Sequence, residues 1–419
     1  MREMKDSGIE WVGQIPTGWE LRRAKTLFTQ RNSKGNEIEV LLSPTQKYGV
    51  VPQSQLEGVV QVKEDTDLQM FKTVHKGDFV ISLRSFQGGF EYSLYEGVCS
   101  PAYQVFYPTS PICDTYYRYL FKSQSFISKM NNLTVGIREG KNIQYVDFAN
   151  SQIPVPPLAE QERIAAFLDA ECAEIDAVLE KTRASIEEYK KLKQAVITQA
   201  VTKGIRGDRP MKDSGIEWIG DIPAEWSVVP FSKFARVSAN LVNPSDYQDY
   251  LQVSPENIEK DSGKLLPCKT VSEVGVESWN HFFHKGQILY SKIRPKLNKV
   301  CIAPFDGLCS ADMYPIDTDN ISKFVVYTIL SNDFNQQVAM ITENRVKMPK
   351  INQKELSKII VVLPADRMEQ QEIVDYLDDE CGKIDALIAK KQQYLTEIEN
   401  YKKSLIYEYV TGKKEVHPL

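Results

Sequence analysis

Sixteen residues near the start of the chain, MKDSGIEWVGQIPTGW from Met4, recur as MKDSGIEWIGDIPAEW from Met211. Trp11 and Trp19 are answered by Trp218 and Trp226 at a constant offset of 207. A second block, EQERIAAFLDAECAEIDAVLEK from Glu160, returns at an offset of 209 as EQQEIVDYLDDECGKIDALIAK from Glu369, matching Cys172 to Cys381 and Asp176 to Asp385. Repeats of 20 to 50 residues build solenoids, whereas a unit of about 200 residues is long enough to contain its own core. The chain therefore reads as a tandem pseudo-dimer.

Between the repeated blocks lie about 130 residues per half, a length that suits a small domain. These middles agree only in islands: HKGDFVIS from His75 against HKGQILYS from His284, and GVCSPAY from Gly97 against GLCSADMY from Gly307. Near-identical ends around dissimilar middles suggest one frame carrying two different readers. Duplication followed by purposeless drift is the competing reading.

The length of 419 residues and 42% hydrophobic content suit two to four domains with substantial cores. No apolar run is long enough to cross a bilayer, and MREMKDSG lacks a signal-peptide core, so no membrane partner and a cytoplasmic location are expected. The seven cysteines are odd in number and form no CxxC, which argues against a disulfide framework or a zinc site. Net charge is −5, unpromising for a nucleic-acid partner until it is located. Residues 159–202 hold nine acids against six bases, and 368–411 hold ten against five. The acidity is confined to these two segments, which leaves the middles mildly basic.

Those segments are also the most periodic. Residues 159–202 lack Pro and Gly, and place Ile164, Leu168, Ile175, Leu179, Ile186, Tyr189 and Val196 at steps of three, four and seven. The partner segment repeats this with Ile373, Leu377, Ile384, Ile388, Leu395, Ile398, Leu405 and Tyr409, interrupted only by Gly382. Pro154, Pro156, Pro157 and Pro364 precede the two helices, and Gly204 and Gly412 follow them. Each helix, about 65 Å long at 1.5 Å per residue, is too long to bury its stripe on one small domain. The stripes should pack on each other, and twofold pseudo-symmetry makes the pairing antiparallel, a rod that would act as a ruler between the middles. A helical hairpin serving only as a dimerisation arm is the alternative.

Catalytic motifs are missing. Gly136 to Asn142 is one residue short of a phosphate-binding loop and has Asn where the hydroxyl belongs, no GxGxxG opens a helix, and neither GxSxG nor HExxH occurs. His281 and His284 form the sole close histidine pair, and a zinc site there would need further ligands. The chain is expected to catalyse nothing itself.

The middles read as short strands (Phe79 to Leu83, Tyr103 to Tyr107, Gln287 to Tyr290) mixed with helical stretches (Thr115 to Met130, Ser322 to Met340). Basic and amide residues gather at three places in each. In the first half these are Gln46, Lys47 and Tyr48; Arg84, Ser85 and Gln87; and Arg138, Lys141 and Asn142. In the second they are Glu256 and Asn257; Lys292, Arg294, Lys296 and Asn298; and Asn344, Arg345, Lys347 and Lys350. Lys and Arg neutralise phosphates, while Arg, Asn and Gln make paired hydrogen bonds to base edges. An isolated surface cation is usually only solvated. The argument for DNA lies in the recurrence of clusters at matching places.

MKDSGIEWVGQIP, IPVPPLAEQERIAAFLD and the closing AVTKG or YVTGK resemble the repeated regions of the specificity subunit of type I restriction-modification enzymes. The resemblance covers the whole chain. It implies an α+β fold with two pseudo-symmetric mixed α/β target recognition domains, residues 1–157 and 205–365, separated by long helices over 158–204 and 366–419 packed as an antiparallel coiled coil. It also implies a non-catalytic DNA-specificity role, each domain reading one half of a bipartite, gapped double-stranded DNA sequence. The helices would set the gap and, with Trp11, Glu160, Trp218 and Glu369 in the frame, dock two methyltransferase subunits; two restriction subunits would complete the complex. S-adenosylmethionine, ATP and Mg would be bound by those partners, with no cofactor or metal on this chain. Two departures stand out: PPLAEQ is two residues shorter than PADRMEQQ, and the first half lacks the Lys-Arg cluster of 292–299. A non-catalytic protein-binding scaffold with two ligand-binding domains is the alternative.

Overall fold

The structure is a computed structural model, described over residues 2–34, 40–56, 67–133, 143–345, 347 and 349–416. Two compact units divide it: residues 1–182 together with 394–419, and the contiguous stretch 183–393. Both boundaries fall inside long helices, Leu158–Lys203 and Arg367–Val410, whose spans lie within a residue of those outlined by the apolar periodicity.

The first unit centres on a four-stranded antiparallel sheet with strand order Phe28–Arg31, Gln104–Pro108, Phe79–Ile81, Glu91–Tyr92. Phe28, Phe79, Phe90, Phe106, Phe121 and Phe148 meet on it at ring separations of 4.8 to 6.1 Å. Packing of this kind stabilises beyond the area it buries. The same core takes in Ile164, Leu168, Ile175 and Leu179 of the first long helix and Leu405 and Val410 of the second.

The second unit repeats the plan. Its sheet runs Arg236–Val237, Met313–Asp317, Ile288–Ser291, Val300–Ile302, again antiparallel throughout. Its core joins Ile197, Ala200 and Val201 of the first long helix to Ile373, Val374, Leu377 and Cys381 of the second. A further five-stranded sheet, including Leu251–Val253, Asn280–Phe283 and Gly307–Cys309, enlarges this unit.

One departure from the sequence reading occurs twice. The single helical stretches expected over 115–130 and 322–340 are each broken, into Asp114–Lys122 and Gln124–Leu133, and into Ser322–Leu330 and Asn332–Thr342. The breaks fall at Ser123 and Ser331, both with extended backbone. Each hydroxyl donates to the carbonyl three residues back at 2.7 Å, and Ser331 Oγ also accepts from the Phe334 amide. Serine competing for backbone groups in this way ends one helix and starts the next. Hydrophobic spacing alone does not reveal it.

Within each unit the two helical segments run antiparallel. In the first, Phe167 meets Tyr409 at 4.5 Å between ring centroids, and Asp176 meets Lys402 at 2.6 Å. In the second, Lys391 lies 5.6 Å from the Tyr189 ring centre and Lys193 pairs with Asp385 at 2.7 Å. As one number rises the other falls, as the pseudo-symmetry argument requires.

Candidate nucleic-acid interface

The loops that could meet a ligand are held by a frame built identically in both units. Trp19, 1% exposed, donates its indole N–H to Glu160 Oε2 at 3.0 Å, and Arg2 grips the same carboxylate at 2.5 and 2.9 Å while its guanidinium lies 5.4 Å from the indole centre. Trp226, Glu369 and Arg209 repeat this, with the indole bond again 3.0 Å. A carboxylate bonded by two cationic N–H groups and an indole is satisfied in place, which makes its burial tolerable.

One residue along, Gln161 Oε1 accepts from the Cys113 amide at 2.9 Å, and Gln370 Oε1 from the Ile321 amide at 3.1 Å. Both donors flank the start of the helix that follows the sheet, so the long helix supplies that helix with a cap. Two turns further, Asp169 receives Tyr119 Oη at 2.7 Å together with Arg118, and Asp378 receives Tyr327 Oη at 2.6 Å together with Lys323 at 2.5 Å. Burial first, then the carboxylate beside it, pushes both phenols up. These latches were legible as Tyr119 and Tyr327 at an offset of 208 beside the repeated aspartates, a signal the sequence reading passed over.

Of the frame residues assigned to partner docking, the two glutamates face inward. Side-chain exposure is 12% at Glu160 and 3% at Glu369. Trp11 is half-buried and meets Phe126 edge-on at 5.6 Å. Its counterpart Trp218 is 48% exposed on a cleft of about 1310 Å³ lined also by Lys190, Lys193, Lys264 and Asp385. The two differ because Phe126 covers Trp11, whereas Phe334 at the matching position turns to Phe231 and Tyr290.

In the first unit the structure joins two of the three expected clusters. Gln46 Nε2 donates to Gln87 Oε1 at 3.2 Å across the turn that joins Leu42–Thr45 to Gly49–Pro52. Lys47 and Tyr48 are exposed at its tip, the ammonium 4.7 Å from the ring centre, and Arg84 and Gln87 are exposed beside it. Ser85 is buried, its hydroxyl accepting from the Ser82 amide, which removes it from the surface list. Arg138, Lys141 and Asn142 lie outside the described residues.

In the second unit all three clusters adjoin. Arg294 N–H donates to the Pro349 carbonyl at 2.8 Å, Ile293 bridges Lys350, and Lys299 Nζ donates to the Pro255 carbonyl at 2.6 Å. Arg294, Lys296, Lys347 and Lys350 are exposed; Lys292 is half-buried, 5.4 Å from the Tyr314 ring centre, and Lys350 lies 3.6 Å from Asp312. Three assignments are corrected. Asn257 spends its amide on Ser254 and the Pro267 carbonyl, Asn298 is 1% exposed, and Arg345 is committed to Glu355. Arg294 and Asn298 both hold φ near +44°, flanking the turn Pro295–Leu297. Such strain in residues other than glycine persists only when surroundings enforce it. The result is an outward-facing set of cations suited to phosphates and, through Arg294, to a base edge.

Among the described residues no group of His, Cys, Asp and Glu is placed to hold a metal ion, and no helix is long and apolar enough to cross a membrane.

Comparison with known proteins adds to this geometry. The family of type I restriction modification DNA specificity domains matches residues 16–188 and 233–400. The specificity subunit of the type I restriction enzyme EcoDI of Escherichia coli is 33% identical over 78% of this chain and 76% of its own length. That of MjaVIII from Methanocaldococcus jannaschii is 26% identical over 67% of each. A chain solved in work on complex assembly and conformational transition of the type I R-M system shares the fold, with a TM-score of 0.69, 16% identity, and coverage of 96% of this chain and 99% of that one.

Proposed function

This chain belongs to the type I restriction-modification DNA specificity family, and from that footing we propose that its two units read the two halves of one gapped DNA sequence. The recognition domains are residues 1–157 and 205–365, and the long helices within the segments 158–204 and 366–419, Leu158–Lys203 and Arg367–Val410, fix the gap. Lys47, Tyr48, Arg84 and Gln87 face the first half-site; Arg294, Lys296, Lys347 and Lys350, with Lys292, face the second. Half-sites about one helical turn apart, roughly 34 Å, present neighbouring major-groove faces to such a pair.

The observation that carries this reading is the contrast between frame and loops. Trp19–Glu160–Arg2 and Trp226–Glu369–Arg209 are superimposable in chemistry, whereas LRSFQGG at 83–89 in one unit is answered by the more basic IRPKLNK at 293–299 in the other. Equal supports under unequal surfaces suit a protein that reads an asymmetric sequence.

The complex contains two methyltransferase subunits docked on the frame and two restriction subunits, and acts in the cytoplasm. S-adenosylmethionine, ATP and Mg are bound by those partners, which together methylate adenine N6 and cut DNA with ATP. The test is co-expression with the methyltransferase partner, exposure of a randomised DNA library with methyl donor, and sequencing of methylated adenines. One two-part motif with a fixed gap is the expected result. Ungapped or unspecific methylation overturns the reading. Inserting four residues, about one helical turn, into a long helix should change the gap and leave both half-sites intact.

A further inference from the structure

The helix Asp114–Lys122 touches the frame with one end and a surface loop with the other. Toward the frame, Arg118 and Tyr119 bind Asp169. At the far end Lys122 Nζ donates to Glu91 Oε2 at 2.6 Å and to the Gln46 carbonyl at 3.3 Å. Glu91 is 1% exposed within the sheet, opposite Val80.

The matching positions of the second unit carry no such ion pair. Val80 corresponds to Leu289 through the HKGDFVIS and HKGQILYS match, and the strand partner of Leu289 is Cys301. Tyr119 corresponds to Tyr327 through the shared aspartate latch, which makes Leu330 the counterpart of Lys122. Cys301 and Leu330 are both buried. The fold therefore accepts two apolar residues where the first unit carries a buried carboxylate and a half-buried ammonium. Burying charge is costly, and replacing a buried ion pair by packed apolar groups is often neutral or stabilising. A contribution to stability does not explain why the ion pair is there.

What the pair does touch is the turn 45–49. That turn is fixed from several sides: Thr45 Oγ1 accepts from the Tyr48 amide at 2.9 Å and donates to the Gly49 carbonyl at 3.0 Å, the Gln46 amide bonds Gln87, and Gly88 leaves no room for a Cβ beside the Gln46 side chain. Lys122 adds a charged hold, on the Gln46 main chain, and directly beyond it stand exposed Lys47 and Tyr48. We propose that Lys122, locked by Glu91, is a positioning residue for the turn Gln46-Lys47-Tyr48, and that it sets the base preference of the half-site read by the first unit. The inference rests on the DNA-reading function proposed above. A side chain misplaced by about 1 Å loses paired hydrogen bonds to a base edge, which costs tenfold or more in discrimination.

The experiment uses the complex assembled with its methyltransferase partner and the randomised-library readout. The double variant Glu91→Cys with Lys122→Leu installs the apolar pair of the second unit; Glu91→Gln with Lys122→Met is a near-isosteric second version should the first not fold. Lys122→Arg keeps the charge, and Lys47→Ala with Tyr48→Ala removes the tip of the turn. The expected result is a thermal midpoint no lower than wild type and about tenfold relaxed preference within one half-site. The other half-site and the gap stay unchanged, Lys122→Arg restores most of the preference, and the Lys47/Tyr48 variant relaxes the same half-site. Relaxation by the Lys47/Tyr48 variant with none by either folded pair variant overturns the positioning role alone. No effect from the Lys47/Tyr48 variant removes the turn from the interface and the proposal with it. Absence of any two-part motif in the wild type overturns the underlying reading instead.

Discussion

Asp176 and Lys402 form an ion pair at 2.6 and 2.7 Å, and the residues 209 positions away from each, Asp385 and Lys193, form another at 2.7 Å. Each long helix thus gives one aspartate and receives one lysine's partner in return, the signature of a self-complementary pairing. Such pairs contribute little individually, but a reversed charge converts each into a repulsion. Asp176→Lys should therefore destabilise the first unit by about 1 kcal/mol, and adding Lys402→Asp should recover most of it. Denaturant titration of the single and double variants checks the recovery; strict additivity would mean that the pair is not coupled.

The buried carboxylates of the frame predict an asymmetry. Glu369 is more buried than Glu160 and is bonded to Trp226 and Arg209. Removing one partner of a buried, satisfied charge costs about 3 to 5 kcal/mol. Glu369→Ala should lower the thermal midpoint more than Glu160→Ala, with a red-shifted Trp226 emission as water reaches the indole. Equal, small shifts would contradict the clamp.

The end of the chain belongs to the first unit. Val410 O accepts from Tyr116 Oη at 2.8 Å, Lys413 Nζ donates to the Val12 carbonyl at 2.7 Å, and Gly412 has φ +72° and lies so close to Pro16 and Trp19 that a Cβ would clash. Truncation after Tyr401 should raise hydrogen exchange across residues 4–31 and 104–130 by tenfold or more, leaving 236–317 protected. Uniform exchange in both regions would remove the C-terminus from this role.

Burial pushes Glu91 up to about 7 from the ordinary 4.5, with Lys122 acting in the opposite direction. A raised acid binds its proton more tightly in the folded state, so its contribution is complete below about pH 4.5 and is lost as pH rises through 7. The shift corresponds to roughly 3 kcal/mol between those limits. The stability difference between wild type and Glu91→Gln should change by that order from pH 4.5 to pH 8, favouring the variant at the higher pH. A pH-independent difference in calorimetric midpoints would exclude Glu91 as the titrating group.

Arg294, exposed at the turn joined to residues 349–350, should be worth about 1 to 3 kcal/mol to specific binding if it meets a base edge. Arg294→Ala then relaxes one position of the second half-site. A uniform loss of affinity with a shallower salt slope would identify a phosphate contact instead.

The frame was legible because its signals are redundant: a periodic apolar stripe from Ile164 to Val196, flanking Pro and Gly, and a second copy of each. The loops were legible only as composition. Nothing in the letters distinguishes exposed Lys296 from buried Asn298 two residues on, because the left-handed backbone at both ends of that turn decides it. Ser85 and Asn257 misled for a related reason, since side chains suited to bonding DNA are equally suited to bonding a nearby amide or carbonyl. Glu91 and Lys122 gave no sign at all, lying 31 residues apart in a region where the halves have diverged.

The way the two units divide the chain also bears on how it is made. Residues 183–393 form one unbroken stretch, whereas the first unit draws on both 1–182 and 394–419. During synthesis the second half has all its residues once the ribosome has passed Gln393, while the first half still awaits Leu405, Val410 and Lys413. Closing that half means joining segments about four hundred residues apart, an entropic delay that local folding does not share. The half that is begun first is completed last, so a ribosome that stalls late leaves a finished second unit attached to a first unit with an open core.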